Sequence, residues 1–242
     1  MLQQSSSLGN SSLNGTMVIE DQYLDGGTSP TAMVGLIVAN GSGSVTSGSA
    51  DVNDPGQGGL STQSFAGATY SVDSSTGRMT VAGGGGHPPV FYVVTTNEAF
   101  MVGTGGSPDF GMLLPQSGGP TYTNSSLSGL FLGGTEAPVS WSVDTEVDSV
   151  TLNNGTVTGT YDGDDGSGGP GQGSISGSSC PSSGAGNFSC TDNSTGRFLI
   201  CSTAGCPSGS VEVILYVVSP SQAVVMDASS GDSNPRVTDF HQ

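Results

Sequence analysis

The sequence contains no lysine and three arginines, Arg78, Arg197 and Arg236, against 20 acidic residues. With a formal charge of -17, the chain has nothing to neutralise phosphates or release their counterions, which excludes a nucleic-acid binder. Basic clusters of the kind that dock on anionic membranes are missing as well. Glutamate is scarce, and helix-forming side chains are thin overall, so a helical fold is a poor match. No apolar run approaches the ~20 residues that a membrane-spanning helix needs. The opening Met1-Leu2-Gln3-Gln4-Ser5 lacks the charged start and apolar stretch of a signal peptide. Enzyme signatures are absent too: there is no Gly-x-Ser-x-Gly elbow, no His-Glu-x-x-His and no Asp-Thr-Gly or Asp-Ser-Gly. The run Gly166-Ser167-Gly168-Gly169-Pro170-Gly171 fits Gly-x-Gly-x-x-Gly formally, but it follows an acidic turn and opens no helix. No catalytic residue can be named, and the chain reads as a non-enzyme.

What is abundant is glycine, with 41 residues, beside serine, asparagine and aspartate. Such a profile resembles disorder. The apolar residues, however, gather in short runs such as Val90-Phe91-Tyr92-Val93-Val94 and Val213-Ile214-Leu215-Tyr216-Val217-Val218. Short apolar runs bounded by turn residues are how strands read, so a folded all-β chain is expected. The first half offers eight strand-like segments, at 13–23, 32–39, 44–51, 64–72, 78–82, 90–95, 99–102 and 111–114. No helical pattern separates them, which disfavours a parallel sheet and favours an antiparallel meander. Eight such strands can close into a small up-and-down barrel. A β-sandwich is the alternative. In the second half Val139, Trp141, Val143 and Val147 alternate with polar residues, the period of a strand with one wet face.

Four blocks recur in the same order. Ser11-Ser12-Leu13-Asn14-Gly15 returns as Ser125-Ser126-Leu127-Ser128-Gly129, and Asp51-Val52-Asn53-Asp54 as Asp162-Gly163-Asp164-Asp165. Ser75-Thr76-Gly77-Arg78 returns as Ser194-Thr195-Gly196-Arg197, and Phe91-Tyr92-Val93-Val94 as Leu215-Tyr216-Val217-Val218. The chain therefore divides into the end of a preceding repeat or linker (1–10), a first β repeat (11–116), a linker (117–124) and a second β repeat carrying the cysteines (125–242). Leu2-Gln3-Gln4 resembles Leu113-Leu114-Pro115-Gln116, which hints at an earlier copy.

The hairpin Gly41-Ser42-Gly43-Ser44-Val45-Thr46-Ser47-Gly48, the turn Asp51-Val52-Asn53-Asp54 and the turn Gly77-Arg78 together resemble the tandem, ~110-residue Gly/Ser/Asp-rich repeats of exported acidobacterial proteins. The second unit departs by shortening the hairpin to Asn154-Gly155-Thr156-Val157-Thr158-Gly159 and by inserting a cysteine-bearing loop. That resemblance implies a secreted β-repeat and no defined activity. At fold level only, the meander is similar to calycin-type barrels.

The duplicated acidic turn offers candidate oxygen ligands for Ca²⁺: Asp51, Asn53 and Asp54 in one unit, Asp162, Asp164 and Asp165 in the other. The competing reading is an Asx-turn that ends a strand. Cys180, Cys190, Cys201 and Cys206 lack zinc-ribbon spacing and read as disulfides. A hairpin tip at Thr195-Gly196 would set Cys190 against Cys201 with Cys180–Cys206 outside it; the alternative is Cys180–Cys190 with Cys201–Cys206. His87 and His241 read as solvated, and Tyr70, Phe91, Tyr92, Trp141 and Tyr216 as core rather than a sugar-stacking strip. The expected function is a non-catalytic, extracellular or cell-surface structural or adhesive module with an unknown extracellular partner or further repeats of the same polypeptide. Two alternatives stand beside it: a calycin-like carrier of a small apolar ligand or sugar, and a calcium-stabilised module. The carrier needs an apolar cavity above ~300 Å³.

Overall fold

The computed structural model describes residues 4–26, 28–83, 87–106, 109–117, 121–135, 145–164, 170–187, 189–190, 193–204, 206–207, 210–229 and 233–242. They form two antiparallel meanders. The first is a curled nine-stranded half-barrel. Its strands are β1 (Asn14–Asp25), β2 (Ser29–Asn40), β3 (Val45–Asp54), β4 (Gly59–Ser64), β5 (Thr69–Val72), β6 (Arg78–Ala82), β7 (Val90–Thr95), β8 (Glu98–Val102) and β9 (Asp109–Pro115). The second is a closed eight-stranded barrel. It comprises β10 (Gly129–Thr135), β11 (Thr145–Asn153), β12 (Thr156–Asp164), β13 (Pro170–Pro181), β14 (Arg197–Cys201), β15 (Val211–Ser219), β16 (Gln222–Asp227) and β17 (Val237–His241).

The all-β meander reading holds, and barrel closure rather than a sandwich organises the second half. The expected strand at 64–72 takes in only the last residue of β4 and the whole of β5; the rest of β4, residues 59–63, is a ninth strand that the apolar runs did not mark. Residues 65–68 turn between β4 and β5, with Gly67 at φ +85°, a conformation that costs other residues. β4 pairs only with β3 and β5 only with β6, so the sheet opens between them. A bridge from Ser44 to Thr69 and the bonds around Val45 and Ala68 keep the two edges close at one end. In the second half the 12-residue β13 pairs with β12 on one side and β14 on the other, and β10 pairs with β17, so the ring is complete. The segment 139–143 and its alternating Trp141 lie outside the described residues.

Period-2 alternation sorts the apolar side chains into three cores. The inner faces of β1, β2, β6, β7, β8 and β9 fill the first barrel with Met17, Met33, Met79, Phe91 and Leu113. Phe131, Leu152, Phe198, Leu215 and Phe240 fill the second. The third core lies between the barrels: Val18, Ala32 and Val34 from the outer faces of β1 and β2 pack with Tyr216, Val224 and Met226 from β15 and β16. The same local devices appear in both halves. Gln4 Nε2 donates to Thr76 O and Val93 O, and Gln116 Nε2 donates to Thr195 O and Val217 O. Asp73 Oδ1 accepts from the amides of Ser75 and Thr76, and Asn193 Oδ1 from those of Thr195 and Gly196.

Candidate functional site

The first barrel is not filled. Its interior holds a cavity of about 380 Å³, within the size range of small-molecule sites. Met17, Met33, Met79 and Met101 line it with Ile37, Phe91 and Leu113, while Gln63, Ser64, Phe65 and Ala68 border it at the β4–β5 opening. Methionine is unbranched and polarizable, so such a wall can adapt to more than one ligand shape. The void at the centre of the second barrel is about 90 Å³, and at one end, past Glu146, Ile175, Val213 and Asp227, the barrel opens into a wider pocket of about 590 Å³ rimmed by Asp164, Glu212 and Arg236.

One end of the large cavity is acidic. Asp21 on β1 and Asp109 at the start of β9 point inward beside Tyr23, and in register Tyr23 opposes Asp109. Burial pushes the Asp21 carboxyl well above its ordinary pKa, and the charge and hydrogen bond of Asp109 and the charge of Glu20 push it further. Asp109 is raised by burial and lowered by its bond to Asp21. The two carboxyls thus share a proton held chiefly by Asp21, as close carboxyl pairs do. Oδ1 of each is buried with no hydrogen-bond partner among the described residues. The Tyr23 hydroxyl is also held up, by burial and by the surrounding carboxylates.

A second polar constellation joins the barrels. Arg197 at the start of β14 is fully buried and forms a two-pronged pair with Asp51 of β3, Nε to Oδ2 at 2.7 Å and Nη2 to Oδ1 at 3.0 Å. Tyr216 Oη donates to Asp51 Oδ2 at 2.7 Å, and Gly186 N to Oδ1 at 2.9 Å. Arg197 Nη1 reaches Ser182 Oγ and the Asn187 carbonyl. Two buried charges survive here because several donors and acceptors complete their shells. Alongside, Asn53 Nδ2 donates to the Asp227 carbonyl at 2.9 Å.

The acidic turn proposed for Ca²⁺ is therefore used by the fold in its first copy. Asp51 and Asn53 hold the second barrel, and Asp54 caps the 3₁₀ turn Pro55–Gln57 through the Gln57 amide. In the second copy Asp162 accepts from Gln172 Nε2, Asp164 sits exposed on β12, and Asp165 lies outside the described residues.

The cysteines pair as Cys180–Cys190 and Cys201–Cys206, with Cα separations of 5.4 and 5.3 Å. This corrects the nested expectation, Cys190–Cys201 inside Cys180–Cys206. Thr195-Gly196 forms a turn but not the tip of a hairpin, since β14 pairs with β13, where Cys180 opposes Leu199, and with β15. With β13 and β15 as the ladder partners of β14, Cys190 does not face Cys201 across a ladder. The two bridges adjoin: the sulfurs of Cys180, Cys190 and Cys206 lie within 4.8 Å of one another. The first bridge closes the loop that supplies Ser182, Gly186 and Asn187 to the Arg197–Asp51 pair.

Of the remaining candidates, His87 borders the cavity and the exposed His241 contacts Asp239. Tyr70 and Phe91 are core, Tyr216 is buried between the barrels, and Tyr92 is exposed. Residue-by-residue reading missed the Asp21–Asp109 pair. Its one sequence signal is the parity of β1, which turns Asp21 to the same side as Met17 and Ile19. No family model matches the chain, and no curated protein or solved structure matches it either.

Proposed function

We propose that the first barrel binds a small, mostly apolar ligand carrying a hydrogen-bonding end. The observation that carries this reading is the methionine-lined cavity of about 380 Å³ with the Asp21–Asp109 pair at one end. Water alone would be poorly held by such a wall, whereas an apolar body gains from leaving solvent. The protonated member of the pair can donate and the other can accept, so one hydroxyl, amide or amine on the ligand satisfies both. The protein acts as a carrier or sequestering module, without catalysis, and the two disulfides support an oxidising, extracellular setting.

The test is titration with the neutral fluorophore N-phenyl-1-naphthylamine. Saturable binding of one probe per chain is expected, lost when Ala68→Trp plugs the β4–β5 opening. Failure of the folded wild-type protein to bind the probe or any competing alkyl compound would overturn the reading. A structural or adhesive role built from tandem repeats is the second reading. It is favoured by the apolar core and buried ion pair that fix one barrel on the other, and by the matching bonds of Gln4 and Gln116.

A further inference from the structure

The contact between the two barrels joins unlike faces. The first barrel contributes the outer face of β1–β3, with Val18, Val34 and Asp51; the second contributes the outer face of β14–β17, with Arg197, Tyr216, Val224, Met226 and Val237. Each barrel therefore keeps one face unused, and strand register identifies what lies there. In the second barrel Arg197 opposes Tyr216, which opposes Val224, while Met226 opposes Val237. In the first barrel Arg78 opposes Tyr92, which opposes Phe100, while Val102 opposes Phe110. The residues match position for position, and both faces carry an arginine beside a tyrosine. Conversely, Asp51 opposes Val34 and Asp162 opposes Val147. Leu132 takes the place of Val18, since Gly134 opposes Val147 as Glu20 opposes Val34.

The large exposed apolar residues among the described part of the chain fall on these two faces. Tyr92, Val102 and Phe110 lie on the arginine face of the first barrel, and Leu130, Leu132 and Val147 on the aspartate face of the second, each 40–65% exposed. The counterparts of Tyr92, Val102, Phe110, Leu132 and Val147 in the interbarrel contact, Tyr216, Met226, Val237, Val18 and Val34, are buried. Arg78 and Asp162 are exposed as well. Apolar patches rimmed by complementary charge mark interaction surfaces. Here the pattern of the missing partner is already present in the same molecule.

We propose that the chain associates head to tail with a second copy of itself, the Asp162 face of one copy receiving the Arg78–Tyr92 face of the next. The contact repeats the internal one: Arg78 and Tyr92 take the Asp162 carboxylate as Arg197 and Tyr216 take Asp51, over packed Leu132, Val147, Phe100 and Val102. It lacks the cysteine loop that adds Ser182, Gly186 and Asn187, so it is the weaker of the two. Joining unlike faces, it does not close on itself in a dimer and extends into an open row. This assembly stands independently of ligand binding in the first barrel.

Sedimentation velocity of the whole chain at physiological salt, over a concentration series reaching millimolar, tests the assembly. Wild type should form species beyond the dimer. Arg78→Asp and Asp162→Arg should each weaken association at least about tenfold through like-charge juxtaposition, with thermal melts unchanged because both side chains are exposed. In an equimolar mixture of the two variants every face of one meets an opposite charge on the other, the native Asp162 with the native Arg78 and the introduced aspartate with the introduced arginine. Species beyond the dimer, with the variants alternating, should therefore form although neither variant forms them alone. The double swap restores opposite charges and should associate again. A wild type that stays monomeric throughout, or association that both swaps leave untouched, would overturn the proposal.

Discussion

The two barrels follow one strand order yet differ in closure, and the difference traces to a single stretch of chain. In the second, residues 170–181 run without a break and pair on both sides; in the first, residues 65–68 interrupt the corresponding path and leave β4 and β5 unpaired with each other. The interiors differ in the same sense. Phe131, Phe198 and Phe240 occupy the closed barrel, whereas the open one is walled by methionines around its void. The closed ring is packed at its centre by aromatic side chains and widens into a pocket only at one end. An opened ring with an adaptable wall is a container. One strand plan thus yields a ring packed at its centre and an opened ring with an adaptable wall, joined through the outer faces.

The sharpest way to break this pairing is at Asp51. Asp51→Ala leaves the Arg197 guanidinium buried without its counter-ion and should cost about 3–5 kcal/mol, read as a lower urea midpoint. The counterpart change Asp162→Ala, at an exposed position, should shift stability by less than about 0.5 kcal/mol in the monomer. Replacing both partners, Asp51→Leu with Arg197→Met, should recover only part of the loss: an apolar pair can stand in for a buried ion pair, but Tyr216 Oη and Gly186 N lose their acceptor. Equal costs at Asp51 and Asp162 would erase the asymmetry on which the comparison rests.

A middle-sized effect reads the second interior by pH. Asp148, on the inner face of β11, is raised to about 8 by burial, by its hydrogen bond to Glu146 and by the Glu146 charge, against the opposing charge of Arg236. A carboxyl with a raised folded pKa keeps its proton in the native state while the unfolded chain has released it. Stability is therefore greatest below about pH 4 as far as this group is concerned and declines as pH rises toward 8. Asp148→Asn should add about 2 kcal/mol at pH 8 and little at pH 4, measured by urea unfolding at both values. A gain of equal size at both pH values would assign the effect to packing instead of ionisation.

Much of this architecture was legible in the residues. Apolar runs between glycine-rich turns located most strands, but the alternation along β7 that turns Phe91 inward and Tyr92 outward was not read, so Tyr92 was expected in the core. What stayed hidden depends on contacts far apart in sequence. Asp51 and Arg197 are 146 positions apart, and nothing local distinguishes an aspartate that ends a strand from one that anchors a neighbouring barrel. The disulfide pairing failed for a related reason: Thr195-Gly196 has hairpin chemistry, but β14 finds its partners in β13 and β15, far from Thr195 in sequence or on its other side. The cavity was invisible because a missing contact leaves no mark in composition, and β4 was missed because Gly59–Ser64 carries one large apolar residue, Leu60, and so forms no apolar run.

The smallest expected effect compares the two Gly-Arg turns. Asp73 and Asn193 perform the same task, each accepting two backbone amides ahead of a glycine with positive φ, Gly77 at +69° and Gly196 at +75°. Only the aspartate can titrate. Its bonds from the Ser75 side chain and from the amides of Ser75 and Thr76 hold its pKa down to about 2. The stabilisation it lends is therefore complete above the ordinary carboxylate range and is lost as pH falls through about 2. Asp73→Asn makes the first turn resemble the second, since an amide oxygen accepts the same two bonds without ionising. Melting temperature near neutral pH should barely change. The wild-type protein should lose more of its melting temperature between pH 4 and pH 2 than the variant does. If the two acid profiles superimpose, the Asp73 carboxylate contributes no more than the Asn193 amide, and the turns are equivalent in energy as well as in shape.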